Sequence, residues 1–515
     1  MRMTKEMFET ACTKIVFLIS TGLFLALSFW ALKYSHRYSS DYSSERIYGV
    51  FDSVWPNLGV LLLILVLFYV LRLFVCRGTI EEQKKKVKLF LAADMVLAGV
   101  FGVIWVTGCH IMPSDDQLQV YLTAVEFTQG IYRDMDAYFY MCPQQYGLAF
   151  LYECILWIWE SYHLVQYINI VFLLMILYFG YKVSDCLFGN SKINLYTILV
   201  MNLFLPLTLY VNFVYGEMGT VAMSMCSIWG VLRWMESGKK RYGALSVMAT
   251  VFAWMVRLNM IIVTIALAII LVLFAFRKKN LKALGLILLL FTIPFGCIRL
   301  VEFSYELRSG KEVGDGIPTM VNVAMGMQQS WQGAGAYNAY NHQTFWAAEG
   351  DSDMAARMGK DYIRNRLEEF KADPGMARYF YQSKVWEQWN EGSYGSLIMT
   401  ADFEAAPFPL AQEIYGGKLQ QPLLNWMERY LFVIYGVGLI YSLYGLLFWK
   451  DIEESILPMI VIGGMIFSLL WESKARYVFP YVVIFLPAVA AGLYFCQTGI
   501  ERGFIRLKRK LRHRR

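Results

Sequence analysis

Twelve stretches of this chain are each apolar for about the length of a lipid bilayer, and a soluble fold has no place to hide that many. A helix needs roughly 20 apolar residues to cross the hydrocarbon core. Runs near that length lie at 15–32, 56–76, 88–108, 164–181, 193–212, 216–235, 242–257, 259–276, 282–300, 427–447, 456–471 and 476–496. Composition agrees: 57% of the residues are hydrophobic and only 17% are charged, against about 25% charged in ordinary soluble domains. The expected fold class is therefore an all-α polytopic membrane protein with about twelve transmembrane helices. The first run, IVFLISTGLFLALSFWAL, has no small-residue cleavage pattern behind it and reads as a retained span. The net charge of +7 does not point to nucleic acid, because the basic residues gather at the ends of the apolar runs.

Basic loops orient such a chain, since Lys and Arg are retained on the cytoplasmic side. With the N-terminus inside, the inner segments include RGTIEEQKKKVK, KVSDCLFGNSK, RWMESGKKR, FRKKNLK and the tail RGFIRLKRKLRHRR. A shorter apolar stretch, YGLAFLYECILWIW at 146–159, would invert everything after it if it crossed the membrane. It reads instead as an interfacial helix in the outer leaflet, rich in Trp and Tyr. Both termini are then cytoplasmic, and the protein is a multi-pass component of the cell membrane. The one loop that argues against this orientation is FWKDIEES, an inner segment with more acids than bases.

Four regions follow. Residues 1–87 hold two N-terminal spans, and 88–301 form a membrane module whose first extracellular loop is 109–145. Residues 302–426 form an extracellular insert, and 427–515 carry the last spans and the basic tail. The insert has turn signals such as SGKEVGDG and helical periodicity in DMAARMGKDYIRNRLEEF, so it is expected to be a small, mainly helical domain. No inverted repeat of the kind found in many secondary transporters is visible. Cys109 and Cys142 could both lie outside and pair, although isolated cysteines in membrane chains usually pack as small hydrophobes.

This topology gathers polar groups on the outer face. Asp115 and Asp116 leave the 88–108 span in the motif PSDD. Gln144, Gln145 and Tyr146 open the interfacial helix. Glu217 lies in the turn NFVYGE, Arg257 and Asn259 in RLN, and Glu472, Lys474, Arg476 and Tyr477 in WESKARY. Arg257 is the single basic residue of a run too long for one span, so two helices are expected to meet there and keep it out of lipid. Arginines can hold a phosphate through paired hydrogen bonds, and a carboxylate can take the proton of an attacking hydroxyl. Taken singly these residues have plainer readings: solvated loop acids, snorkelling helix ends, or an exposed Glu472–Arg476 pair of little energetic weight. Their joint placement is what suggests a site.

The order of span, acidic pair, helix closing on glycine, proline-led helix and paired spans resembles the GT-C superfamily of glycosyltransferases that use polyprenyl-phosphate sugars. The pieces that carry the likeness are SDDQLQVYLTAVEFTQG, PQQYG, VYGEM, WMVRLN and WESKARYVFPYVVIFLPAVAAG, over about residues 88–496. The nearest branch is the one that holds the protein O-mannosyltransferases and the lipid A aminoarabinose transferase. The insert, with MGMQQSWQGAGAYN and QWNEGSY, looks like the extracellular domain of Gram-positive members. The resemblance implies a GT-C fold and an inverting transfer on the outer face. The donor would be a polyprenyl-phosphate-linked sugar, and the acceptor a cell-envelope glycan, lipid or protein. Counting back from Gly130, Asp115 matches the family's general base better than Asp116. Asp116, Gln144, Gln145, Tyr146, Glu217, Arg257, Asn259, Glu472, Arg476 and Tyr477 would then bind substrate.

The sequence departs from the family in having SDD where an aspartate–glutamate pair is commoner, and in its two additional N-terminal spans. Some branches of the superfamily use a divalent metal; no ligand cluster is visible here, so no cofactor is expected. The competing reading is a transporter or flippase of lipid-linked saccharides, which would place charges along a path through the bundle. The enzyme reading expects Asp115, Glu217, Arg257 and Arg476 around one outer cavity beneath the insert.

Overall fold

The computed structural model describes residues 5–39, 44–401, 408–449 and 451–512, and is helical almost throughout. Among the described residues nine helices are long and apolar enough to cross a membrane. They are Glu6–Lys33, Val54–Val75, Ile80–Cys109, Tyr162–Phe188, Leu258–Lys278, Lys282–Ser309, Gln420–Phe448, Glu453–Leu470 and Phe479–Arg502. A tenth span is possible by combining Ser191–Leu203 with Pro206–Asn212, which meet at a 61° bend. The helix stops at Phe204, whose φ of −86° and ψ of 80° leave the helical region, and restarts with Pro206 in its first turn, where the missing N–H costs nothing. The chain is a multi-pass helical membrane protein.

Two of the twelve expected spans differ from the rest. Glu217–Ser237 and Lys240–Val256 are helices, but polar groups line their shared face. Ser227 meets Ser246 at 2.8 Å and Thr250 at 2.9 Å. Burial separates inner from outer helices: 83% of the apolar window of Phe479–Arg502 is covered by protein, against 17% for Val54–Val75. The last helix is the post around which the bundle is built.

The stretch expected to lie in the membrane interface forms the helix Tyr146–Leu156, but it is packed under its neighbours. A Cβ on Gly147 would sit 2.2 Å from the Met255 carbonyl oxygen, so only glycine lets the two backbones approach there. The exposed aromatics belong to the turn that follows, at Trp157 and Trp159.

One element contradicts a purely all-α fold. After the first helix, β1 (Tyr34–Tyr38) and β2 (Ile47–Phe51) pair antiparallel, with Tyr34 opposite Phe51 and Tyr38 opposite Ile47. The segment YSHRY alternates polar and aromatic residues, a period-two pattern suited to a strand. The hairpin is fixed to the insert: His36 N–H donates to the Asn390 carbonyl at 3.1 Å, and the Asn390 amide donates to the Tyr34 carbonyl at 2.7 Å. Arg37 forks onto the buried Glu428.

Spanning-length helices reach into both ends of the expected insert, 302–426. The helix Lys282–Ser309 continues beyond 302, and Gln420–Phe448 begins before 427. Between them lie the helices Thr319–Gly326, Tyr340–Ala347, Ser352–Ala372, Pro374–Trp389 and Pro409–Tyr415. The insert is seated on the 469–473 stretch by backbone contacts. Ser473 N–H donates to the Gly335 carbonyl at 2.8 Å, and Lys384 Nζ donates to the Leu469 carbonyl at 3.2 Å. A Cβ on Gly326 would stand 2.7 Å from the carbonyl oxygens of Leu470 and Trp471.

At the other end of the bundle the acids of FWKDIEES have a partner. Arg277 reaches Glu9 at 2.8 Å, Asp451 at 3.5 Å and also Glu453. All nine cysteines are free, Cys109 and Cys142 included.

Candidate functional site

The site forms where five separated segments end at one face of the bundle, and Tyr215 is its centre. Residues 213–217 turn the chain into the helix Glu217–Ser237. Gly216, at φ 95°, makes the turn in a conformation few side chains tolerate, and a Cβ there would lie 2.2 Å from Val256. The turn holds the Tyr215 ring between two guanidinium groups: Arg257 lies 4.0 Å from the ring centroid and Arg476 5.1 Å. Such faces attract cations through the ring quadrupole. Two positive charges are thus brought close beside one aromatic ring, with Glu217 acting on both.

The two arginines differ in how their charge is balanced. Arg257 Nη2 donates to Glu217 Oε1 at 2.5 Å, and Glu217 is buried, so this pair is neutral as a unit. Arg476 is buried as well, yet its nearest carboxylate among the described residues is Asp116, at 4.0 Å. Its Nε has no hydrogen-bond partner there, Nη1 meets the Met399 sulfur at 3.8 Å, and the Tyr477 hydroxyl also bonds to the guanidinium. The rings of Phe213, Tyr215 and Tyr477 surround it at 5.8, 5.1 and 5.3 Å. A buried, incompletely paired guanidinium is costly, and an anion with several acceptor oxygens would relieve that cost.

The Tyr215 hydroxyl links the arginines to the acidic pair. Gln145 Nε2 donates to it at 2.8 Å, and it lies 3.4 Å from Asp116 Oδ2. Burial, with Asp116 beside it, pushes the phenol up to about 12, so at neutral pH it keeps its proton and donates to that carboxylate. Tyr138 approaches the same hydroxyl at 3.5 Å.

Asp115 and Asp116 open the helix Asp115–Thr128, and the structure separates them. Asp116 faces Tyr215 and Arg476. Both carboxylates are exposed, but no hydrogen bond or ion pair among the described residues ties Asp115 to the cluster. Its φ of 49° lies in the left-handed region, which is unfavourable for a side chain though tolerated by Asp. The carboxylate that joins the arginines is Asp116, through Arg476 and the Tyr215 hydroxyl. Gln117, next along, is buried and braces the turn: its Oε1 accepts from Val214 N–H at 3.0 Å.

The other expected residues divide. Gln145 is in the cluster, whereas Gln144 is exposed. Tyr146 is 1% exposed and packs against Phe127, Phe139 and Tyr305, so it belongs to the core. Asn259 donates to the Tyr481 hydroxyl at 3.3 Å, away from the arginines. Tyr477 donates to Glu472 at 3.2 Å, and burial raises the Glu472 carboxyl above its ordinary value. Lys474 pairs with Glu45 at 2.8 Å.

The insert closes the cluster from its side. Burial raises the Tyr337 phenol, with Glu472 and Asp116 adding to the shift. Burial lowers His342, and Asp116 opposes that shift. Glu391 is a buried carboxylate that sequence reading passes over. It accepts from Ser393 N–H at 3.0 Å, Ser393 Oγ at 2.6 Å and Gly395 N–H at 2.8 Å, and burial pushes it up to about 7. The turn it stabilises brings Gly395, at φ 74°, against Arg476, where an added Cβ would be 3.7 Å from that of the arginine. Tyr215 was the other residue missed; the aromatic just before a glycine in VYGE was the available signal.

No group of three or more His, Cys, Asp or Glu side chains among the described residues is placed to hold a metal ion. Comparison with known proteins gives no matching family model, no matching curated protein and no matching solved structure.

Proposed function

We propose that this protein is an integral-membrane glycosyltransferase of GT-C type, with twelve spans. It would move a sugar from a polyprenyl-phosphate carrier to a cell-envelope acceptor on the outer face of the membrane. The observation that carries the reading is Arg476, a buried cation whose one ion pair among the described residues is the long 4.0 Å contact to Asp116, placed beside a neutral Arg257–Glu217 pair. That set of charges suits a phosphate group. Arg476 and Arg257 hold the donor phosphate, and the Tyr215 ring keeps both guanidinium groups in place. Asp116 takes the proton of the acceptor hydroxyl as its oxygen bonds to the anomeric carbon. The carbon–oxygen bond to phosphate breaks on the opposite face, and the leaving phosphate stays paired with the arginines, needing no separate acid. Asp115, expected to be the base, is better placed as a solvent-exposed neighbour.

A second reading, a flippase of lipid-linked saccharides, is favoured by one observation. Asp94 lies midway along the helix Ile80–Cys109 and accepts from Asn202 Nδ2 at 2.6 Å, just before the bend in the broken span. The pair lies in a groove of about 220 Å3 with Leu97, Phe101, Leu173 and Leu207. Its second oxygen has no partner among the described residues, and carboxylates at membrane depth commonly mark a pathway.

One experiment separates the readings. The purified protein is incubated with a panel of polyprenyl-phosphate sugars, and both sugar transfer and release of polyprenyl phosphate are followed. The transferase reading expects release that Asp116→Asn abolishes and Asp94→Asn leaves intact. Lipid translocation in vesicles without release, lost in Asp94→Asn, would sink it.

A further inference from the structure

A buried amide fixes the protonation of a histidine at the outer end of two helices. Gln166, in Tyr162–Phe188, is fully buried. Its Nε2 donates to the Ile111 carbonyl at 2.9 Å and to the Asn212 carbonyl at 3.1 Å. Both amide hydrogens are used in this way, so the group cannot be turned round. Its oxygen must face the remaining neighbour, His163 Nδ1, 2.9 Å away. An amide oxygen only accepts; Nδ1 therefore carries the ring proton, and Nε2 of His163 presents a lone pair.

The partner of that lone pair is a second histidine. His110 Nδ1 lies 3.3 Å from His163 Nε2, with the two rings edge to face. His110 caps the helix Ile80–Cys109 with φ 46°, in the left-handed region, and that turn carries its ring across to the neighbouring helix. The two helices are held in register below. The Thr107 and Tyr167 hydroxyls meet at 2.9 Å, and a Cβ on Gly102 would press on Ile170 at 3.1 Å.

We propose that His110 and His163 form a two-histidine site for a divalent transition-metal ion of the zinc or copper type, with water completing its shell. Two imidazole nitrogens bound at about 2.0 Å to a tetrahedral ion stand about 3.3 Å apart, which is the separation found here. Metal-binding histidines characteristically donate their other ring N–H to a fixed acceptor, and Gln166 supplies one whose orientation two carbonyls dictate. His110 is exposed, so an ion reaches the pair from solvent. With only two protein ligands the site is open and exchangeable. A bound ion would tie the start of the segment that carries Asp115 and Asp116 to the Tyr162–Phe188 helix. The proposal does not depend on the transferase reading.

The test uses the full-length protein in detergent, purified without a histidine tag and dialysed against Zn2+. One ion per chain is expected, lost in His110→Ala and in His163→Ala. Gln166→Met should weaken binding by about 10–100-fold, as removal of an outer partner does. With Cu2+ in place of Zn2+, the electron paramagnetic resonance spectrum should report two nitrogen ligands. Because His110 is exposed, its variant should melt like the parent, which separates lost ligation from lost fold. Absence of stoichiometric Zn2+, or undiminished binding in the double variant, would mean the rings share only a hydrogen bond, and the site would be withdrawn.

Discussion

The chain buries charge in two different ways. At the arginine cluster, residues from five distant segments bring two arginines, two carboxylates, a tyrosine and a glutamine together, and one guanidinium is left with only a long, 4.0 Å ion pair. Midway along a spanning-length helix, Asp94 meets a single amide on a neighbouring helix, and apart from Thr208 its groove is otherwise apolar. The first arrangement is a cation awaiting an anion. The second is an acid satisfied on one side only. Surplus positive charge beside a hydrogen-bonded carboxylate suits displacement at a phosphorylated carbon; a lone half-satisfied acid suits a proton or a polar group in transit.

Replacements should separate the two regions. The largest effect is expected from Asp116→Asn, which should lower sugar transfer by about 10²–10⁴-fold, the usual cost of losing a general base. Asp115→Asn should leave the rate near that of the parent, measured on the same donor; equal losses in both would undo the assignment of the base. Arg476→Lys keeps the charge but loses the planar fork, and should cost about 10²-fold, in line with removal of one donor to developing charge. Asp94→Asn should leave transfer unchanged, and a transfer defect there would make the two regions one functional unit.

The smallest expected effect concerns pH. Burial holds Glu391 at about 7, above the ordinary glutamate value of 4.5. The folded insert therefore binds this proton more tightly than the unfolded chain does. The stabilisation is fully present below 4.5 and is lost as pH rises towards 7. Hydrogen exchange at residues 391–396 should quicken over that window, and Glu391→Gln should flatten the response. A slope of the opposite sign would mean that the three donors outweigh burial.

Helices were legible in the sequence because their signal is local. Each apolar run states its own length, and the turns NFVYGE, RLN and WESKARY announced which polar residues would share a face. What escaped reading depended on contacts between distant segments or on single backbone angles. Which acid meets the arginines turns on contacts that two identical neighbouring residues cannot announce, and the left-handed φ at Asp115 is a single backbone angle. Tyr146 looked like a site residue because it follows Gln145, yet helix periodicity turns it into the aromatic core. The hairpin at 34–51 was hidden by its shortness and by the apolar runs on either side. Glu391 is far in sequence from anything it shapes.

The seating of the insert on residues 469–473 bears on the order in which the protein can be assembled. Gly326, Gly335 and Lys384 are synthesised before the loop they receive. The loop between the last two spans, which carries Arg476, is made after the surface it is seated on, and in the fold it rests on that surface. Deleting the insert would not uncover the cluster like a lifted lid. It would remove the template on which one of the two arginines is set.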